Sequence, residues 1–116
     1  MQIAPGDLDG PVAAPDHHAV IFENDQVRVL ETTIPAGDTT PLHTHLTPQV
    51  MYVVSGSHFI RRDARGAVMV DTRADPAFTL PRVLYSTGTP LHTIENTGPD
   101  DLVVISVEHK PLVDGS

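Results

Sequence analysis

The sequence predicts an all-β domain, one small barrel or sandwich, on three observations. Eleven prolines and eight glycines interrupt the 116-residue chain so often that no long window keeps a 3.6-residue apolar period, which disfavours helices. Runs rich in β-branched residues recur at similar length, at 27–34, 49–54 and 102–107. Turn-forming groups separate the runs: Glu23-Asn24-Asp25, Pro35-Ala36-Gly37, Asp63-Ala64-Arg65-Gly66 and Thr97-Gly98-Pro99-Asp100. Many short strands punctuated in this way close into a barrel or stack as a sandwich.

Taken in order, residues 1–16 carry three prolines and two glycines and read as a flexible N-terminal arm, with packing on a partner subunit as the alternative. A short strand at 19–22 precedes the long one at 27–34. A strand-like region opens at His43, but Pro48 cannot donate to a ladder and implies an edge, a bulge or a short break before the run that begins at Gln49. Shorter runs fit at 58–62, 68–72, 77–80 and 91–96, and the last strand is 102–107. Residues 17–111 thus make one barrel and 112–116 a C-terminal tail, with no internal repeat. One domain suffices at this length.

Composition narrows the function classes. Apolar residues make up 40% of the chain, yet no run approaches the roughly 20 that a membrane-spanning helix needs. The first residues show neither a basic stretch nor an apolar core of a secretory signal, so a cytoplasmic location is expected. Without cysteine, any metal must be held by imidazole and oxygen. A formal charge of -8 repels phosphate backbones and anionic lipid, leaving a small molecule as the expected partner rather than nucleic acid or a membrane. Seven histidines in so short a chain are the less ordinary feature.

His43 and His45 are two apart, so a strand's period of two puts both imidazoles on one face; Gln49 shares their parity if the strand runs regularly across Pro48. His92 reaches the same point only if the sheet curls, as closure of a small barrel makes it do. Three imidazoles and an oxygen suit one divalent transition metal, Fe, Ni, Co, Zn or Mn, and the spacing does not choose among them. The alternative is a barrel that keeps these histidines as hydrogen-bonded core residues.

These residues also resemble the cupin superfamily, whose first motif reads G-x5-H-x-H-x3,4-E-x6-G. Gly37, His43, His45, Gln49 and Gly56 reproduce it with every spacing intact, glutamine replacing the acid. The second motif, G-x5-P-x-G-x2-H-x3-N, is met less well: His92 and Asn96 keep their spacing, Gly88 stands one residue too far away and the preceding proline is missing. The resemblance covers about residues 27–108. It implies a double-stranded β-helix, or jelly-roll barrel, in which His43, His45 and His92 ligate the metal and Gln49 takes the fourth position. Members of that family commonly pair through strand edges, so a homodimer is expected.

Met51 and Val53 share the parity of Gln49 and are expected to line the pocket. Of Arg61 and Arg62, alternation sends one inside, where it could hold a substrate carboxylate. His58, Arg61 and Tyr85 complete the pocket candidates. His17, His18 and His109 are expected in solvent. No acid or base stands out; Glu31, Glu95 and Glu108 are candidates by type only. A neutral amide in the ligand set leaves the ion more positive than a carboxylate would, which favours anionic ligands. The function expected is a metal-dependent enzyme for a small organic molecule, either dioxygenase-like or using Lewis-acid isomerase, lyase or decarboxylase chemistry. The alternative is a non-enzymatic barrel that binds or senses a small ligand.

Overall fold

The computed structural model describes residues 7–79 and 82–111. A short helix α1 (Gly10–Ala13) is followed by strands β1 (His18–Glu23), β2 (Val27–Ile34), β3 (His43–His45), β4 (Gln49–Ser55), β5 (Phe59–Asp63), β6 (Val68–Asp71), β7 (Arg82–Ser86), β8 (Thr89–Asn96) and β9 (Leu102–His109). They form two sheets, ordered β1-β2-β9-β4-β7 and β3-β8-β5-β6, with every strand pair antiparallel. None of the described helices is long and apolar enough to cross a membrane.

The inner face of the larger sheet changes character along its length. Ile34 pairs with Leu102, Thr32 with Val104, Leu30 with Ser106 and Arg28 with Glu108; on the other flank of β9, Val53 pairs with Val104, Met51 with Ser106 and Gln49 with Glu108. One end of the barrel is therefore apolar and the other polar. Ile34, Val53, Phe59 and Leu102 form the core cluster, with Phe78 and Leu84 packed against it. Each fully buried apolar side chain contributes about 1.5–3 kcal/mol, so this end stabilises the barrel and frees the other for polar groups.

The motif glycines answer to backbone geometry. Gly37 and Gly56 adopt φ of 80° and 110°, and a Cβ at Gly56 would come within 3.0 Å of the Leu102 backbone.

Two expectations change, and one of the alternatives at Pro48 is decided. Residues 77–79 form no strand; Pro76 precedes them, Phe78 turns inward onto the core, and the strand lies instead at Arg82–Ser86. Pro48 marks a true break, since β3 and β4 belong to different sheets. The stretch 7–16, read as part of a loose arm, is packed: the Leu8 carbonyl accepts from Thr44 N at 2.6 Å, Asp9 is buried against Arg28, and Ala14 is fully buried. Its polar backbone finds partners on β3, which the composition of the arm alone did not indicate. Residues 1–6 and the tail at 112–116 lie outside the described residues.

Candidate metal centre

Four imidazoles meet at the polar end. His43 and His92 are directly opposed across β3 and β8, with ring centroids 4.3 Å apart. His45 lies 5.0 Å from His43 and 5.7 Å from His92 by the same measure. The fourth is His18 of β1, 4.7 Å from His43 and 5.3 Å from His45. Ligand atoms of His18, His43 and His45 all lie within 4.8 Å of one another, a group able to hold a metal ion. All four side chains are buried.

Hydrogen bonding decides which nitrogen faces the centre. Nδ1 of His43 donates to the Pro41 carbonyl at 2.8 Å, Nδ1 of His92 to the Pro90 carbonyl at 2.7 Å, and Nδ1 of His18 to the Ala14 carbonyl at 3.1 Å. A carbonyl only accepts, so each Nδ1 carries the proton and each neutral ring keeps its lone pair on Nε2. The rings are indeed held neutral: burial pushes His43 down to about 3 and His18 and His92 to about 4, further lowered by the neighbouring imidazoles.

The matching contacts of His43 and His92 have a source in the chain. Thr-Pro-Leu-His-Thr occurs twice, at 40–44 and 89–93, so each histidine reaches the carbonyl of a proline two residues before it. A short internal repeat thus exists where none was expected, and it builds the two halves of the site.

Behind His45 lies a buried acid. Glu108 Oε2 is 3.4 Å from His45 Nδ1, and Glu108 Oε1 accepts from Arg28 Nε at 2.6 Å. Arg28 in turn donates to both oxygens of Asp9, at 2.8 and 2.9 Å. Burial alone would raise the Glu108 pKa, but the contacts with His45 and Arg28 outweigh it and hold the carboxyl below its ordinary value. The 3.4 Å approach lacks hydrogen-bond geometry, so Glu108 meets the His45 ring as an electrostatic contact that favours one ring orientation. Gln49, paired across the ladder with Glu108, is fully buried, and its Oε1 finds no hydrogen-bond partner.

The cavity of about 70 Å³ at this centre is lined by His18, His43, His45, Gln49 and His92 and continues past Met51, Val53 and Arg61 to the core. His58 and Tyr85 do not line it. His58 Nδ1 meets Thr72 Oγ1 at 2.9 Å, at the foot of the β5–β6 hairpin, and Tyr85 pairs with Val50 on the outer face of the larger sheet, 64% exposed. Of the three candidate acids, Glu31 is exposed, Glu95 accepts from Arg62 on the outside of the smaller sheet, and only Glu108 faces inward.

His17 and His18 are not in solvent. His17 Nε2 bonds Asp38 Oδ2 at 2.7 Å, which holds that carboxyl below its usual range, and His18 joins the cluster. Counting back from the turn between β1 and β2, His18 would oppose Thr33 and point outward. A bulge between Val20 and Phe22 adds one residue, so His18 opposes Thr32 and points inward. Nothing in the local sequence marks that bulge. Gly10 completes the enclosure, so close that a Cβ there would lie 2.7 Å from His45 Cε1.

No protein-family model matches the sequence and no curated protein matches it. Solved structures do match. A cupin domain from Bordetella pertussis Tohama I superposes with a TM-score of 0.66 at 20% identity, covering 81% of this chain and 92% of that one. An RmlC-like cupin protein with a double-stranded β-helix fold from Methanocaldococcus jannaschii gives 0.60 at 13% identity, over 79% and 77%. A Thermotoga maritima protein described as a predicted oxalate decarboxylase gives 0.54 at 22%, over 81% and 79%. The chain has the cupin fold, a double-stranded β-helix of two antiparallel sheets.

Proposed function

We propose that this cupin binds one divalent first-row transition metal and acts as an enzyme on a small, anionic organic molecule. The observation that carries the reading is the group His18, His43 and His45, whose ligand atoms lie within 4.8 Å of one another at one buried end of the barrel, with His92 beside His43 but outside that group. Neutral imidazoles with free lone pairs form the donor set that iron, nickel, cobalt, zinc and manganese accept. The unpartnered Gln49 Oε1 adds an oxygen donor at the same place.

When bound, the ion would supply Lewis-acid polarisation or one-electron chemistry, the first suited to isomerisation, lysis or decarboxylation and the second to dioxygenation. The residues around it divide the remaining work. Pro41, Pro90 and Ala14 carbonyls keep the rings from rotating. Glu108 holds the His45 side of the cluster negative, a charge that Gln49 does not provide. Gly10 and the packed stretch 7–16 cover the outer side and limit entry of water.

A second reading, a barrel that binds or senses a small ligand without turnover, draws on one observation: of the acids Glu31, Glu95 and Glu108, the one that faces inward, Glu108, is already engaged by Arg28. Elemental analysis of protein purified without a metal-affinity tag tests the first reading against variants. Stoichiometric metal in the wild type, lost in His43→Ala and His92→Ala and reduced in His18→Ala, is the expected result. Substoichiometric metal indifferent to all three substitutions would remove it. Exchangeable water on the metal with turnover favours the enzyme, and a ligand that survives purification without turnover favours the sensor.

A further inference from the structure

Among the described residues, Arg61 is a cation without a counterion. Strand alternation on β5 sends Arg62 outward, where its Nη1 donates to Glu95 at 2.7 Å, and sends Arg61 inward to the cavity it shares with the imidazoles. Its Nε is buried and makes no hydrogen bond, and no acid pairs with it among the described residues. The nearby carboxylates are committed elsewhere. Glu108 is taken by Arg28 and His45, Glu95 by Arg62, and Asp63 accepts from Arg65 N and Ala67 N in its own hairpin.

Arg61 is half-buried and a guanidinium does not lose its proton at ordinary pH, so the buried, unpaired Nε is a cost to the fold. Burial alone pushes its pKa down, and no charged neighbour offsets the effect. A methionine or leucine would pack there without that cost. The register locates what the charge faces. Arg61 opposes Ile94, and the next inward pair on the same face is Asp63 with His92. The side chain therefore stands one step from the imidazole cluster, between it and the apolar floor formed by Ile34, Val53, Phe59 and Leu102.

From this placement we infer that Arg61 binds the carboxylate of a small amphipathic acid, held beside the imidazole cluster with its apolar body on the floor of the barrel. A planar fork of donors matches a carboxylate in two parallel hydrogen bonds, and the apolar walls select a hydrocarbon chain or ring over a polyhydroxylated body. The inference deepens the enzyme reading and rests on it for the reacting end of the molecule; the anion-binding half stands on Arg61 alone.

Isothermal titration of metal-free and metal-loaded protein with isovalerate, benzoate and their neutral amides tests it. Each acid is expected to bind about tenfold or more tightly than its amide, in both metal states. Arg61→Gln should abolish that preference while leaving metal content unchanged, and Arg61→Lys should restore part of it. Arg61→Met, freed of the buried unpaired Nε, should unfold at an equal or higher denaturant concentration than wild type, which separates lost binding from lost folding. Acid and amide binding equally well would overturn the inference, as would an acid preference untouched by Arg61→Gln or seen only with metal. Displacement of benzoate by equimolar inorganic phosphate would overturn the carboxylate assignment. Wild-type protein that holds no metal yet shows the Arg61-dependent preference would sink the enzyme reading and leave this one standing.

Discussion

Replacing Glu108 by glutamine tests the site where two roles meet in one side chain. Glu108 is fully buried and touches Arg28 at 2.6 Å and His45 at 3.4 Å. Glutamine keeps the volume and one acceptor oxygen, so Arg28 retains a partner there as well as its two bonds to Asp9. The loss is then well below the roughly 3–5 kcal/mol of a buried charge stripped of its partner, and about 1–2 kcal/mol is expected, the difference between a charge-assisted hydrogen bond and a neutral one. Metal binding suffers separately, because the carboxylate no longer polarises the His45 ring. Loss of such an outer partner weakens affinity by about 10–100-fold, or roughly 1.4–2.7 kcal/mol. Denaturant unfolding of the metal-free variant reads the first quantity. Competition between protein and a chromophoric chelator for zinc or manganese reads the second. Metal affinity within twofold of wild type would refute the argument that Glu108 acts through His45, and a metal-free stability unchanged from wild type would refute its pairing with Arg28.

Other outcomes follow from the same geometry. His18, His43 and His92 titrate near 6.5 when unfolded but are depressed to about 4, 3 and 4 when folded, so the unfolded chain takes up protons first. Metal-free protein should therefore keep its stability above about pH 6.5 and lose on the order of several kcal/mol as pH falls towards 4, measured by unfolding at stepped pH; a flat profile contradicts neutral buried rings. Gln49→Glu places a second carboxylate on a residue whose Cβ stands about 5 Å from that of Glu108 across the ladder, so its metal-free form should melt lower than wild type and its metal-loaded form should recover, in a thermal scan with and without zinc. Equal melting of the two metal-free proteins would exclude that proximity. Sedimentation velocity at several concentrations should show a dimer, because edge strands β1 and β7 expose Phe22 at 54% and Val83 at 63%; Val83→Lys should shift it to monomer, and a wild-type monomer throughout would dismiss the pairing.

The fold was legible because its signals are local. Punctuation by glycine and proline, the β-branched runs and the spacing of Gly37, His43, His45 and Gly56 all survive without knowledge of what lies across the sheet. Long-range register was not legible. His18 turns inward only because a bulge lengthens β1 by one residue, and Tyr85 turns outward because it pairs with Val50 while Leu84 pairs with the inward Met51. Two signals were present but unread. Alternation along β9 puts Glu108 on the face of Leu102, Val104 and Ser106, and the repeated Thr-Pro-Leu-His-Thr marks two equivalent corners. Arg61 sits between these cases, since alternation guarantees that one arginine faces inward but only the pairing with Ile94 says which.

The glutamine at the fourth motif position takes on a different meaning once the register is known. Gln49 and Glu108 are direct partners across β4 and β9, so the negative charge expected at one position stands on the neighbouring strand. There it comes within 3.4 Å of Nδ1 of His45, and it is tied through Arg28 to Asp9 of the N-terminal stretch. The same stretch positions Gly10 against His45 and, four residues on, offers the Ala14 carbonyl to His18. Two of the four imidazoles thus depend on residues 7–16, while His43 and His92 depend on their own prolines. The centre is built from a self-contained histidine pair and a second pair assembled by the N-terminal segment. Detaching that segment should disturb His18 and His45 first, so formation of the full centre is coupled to its docking.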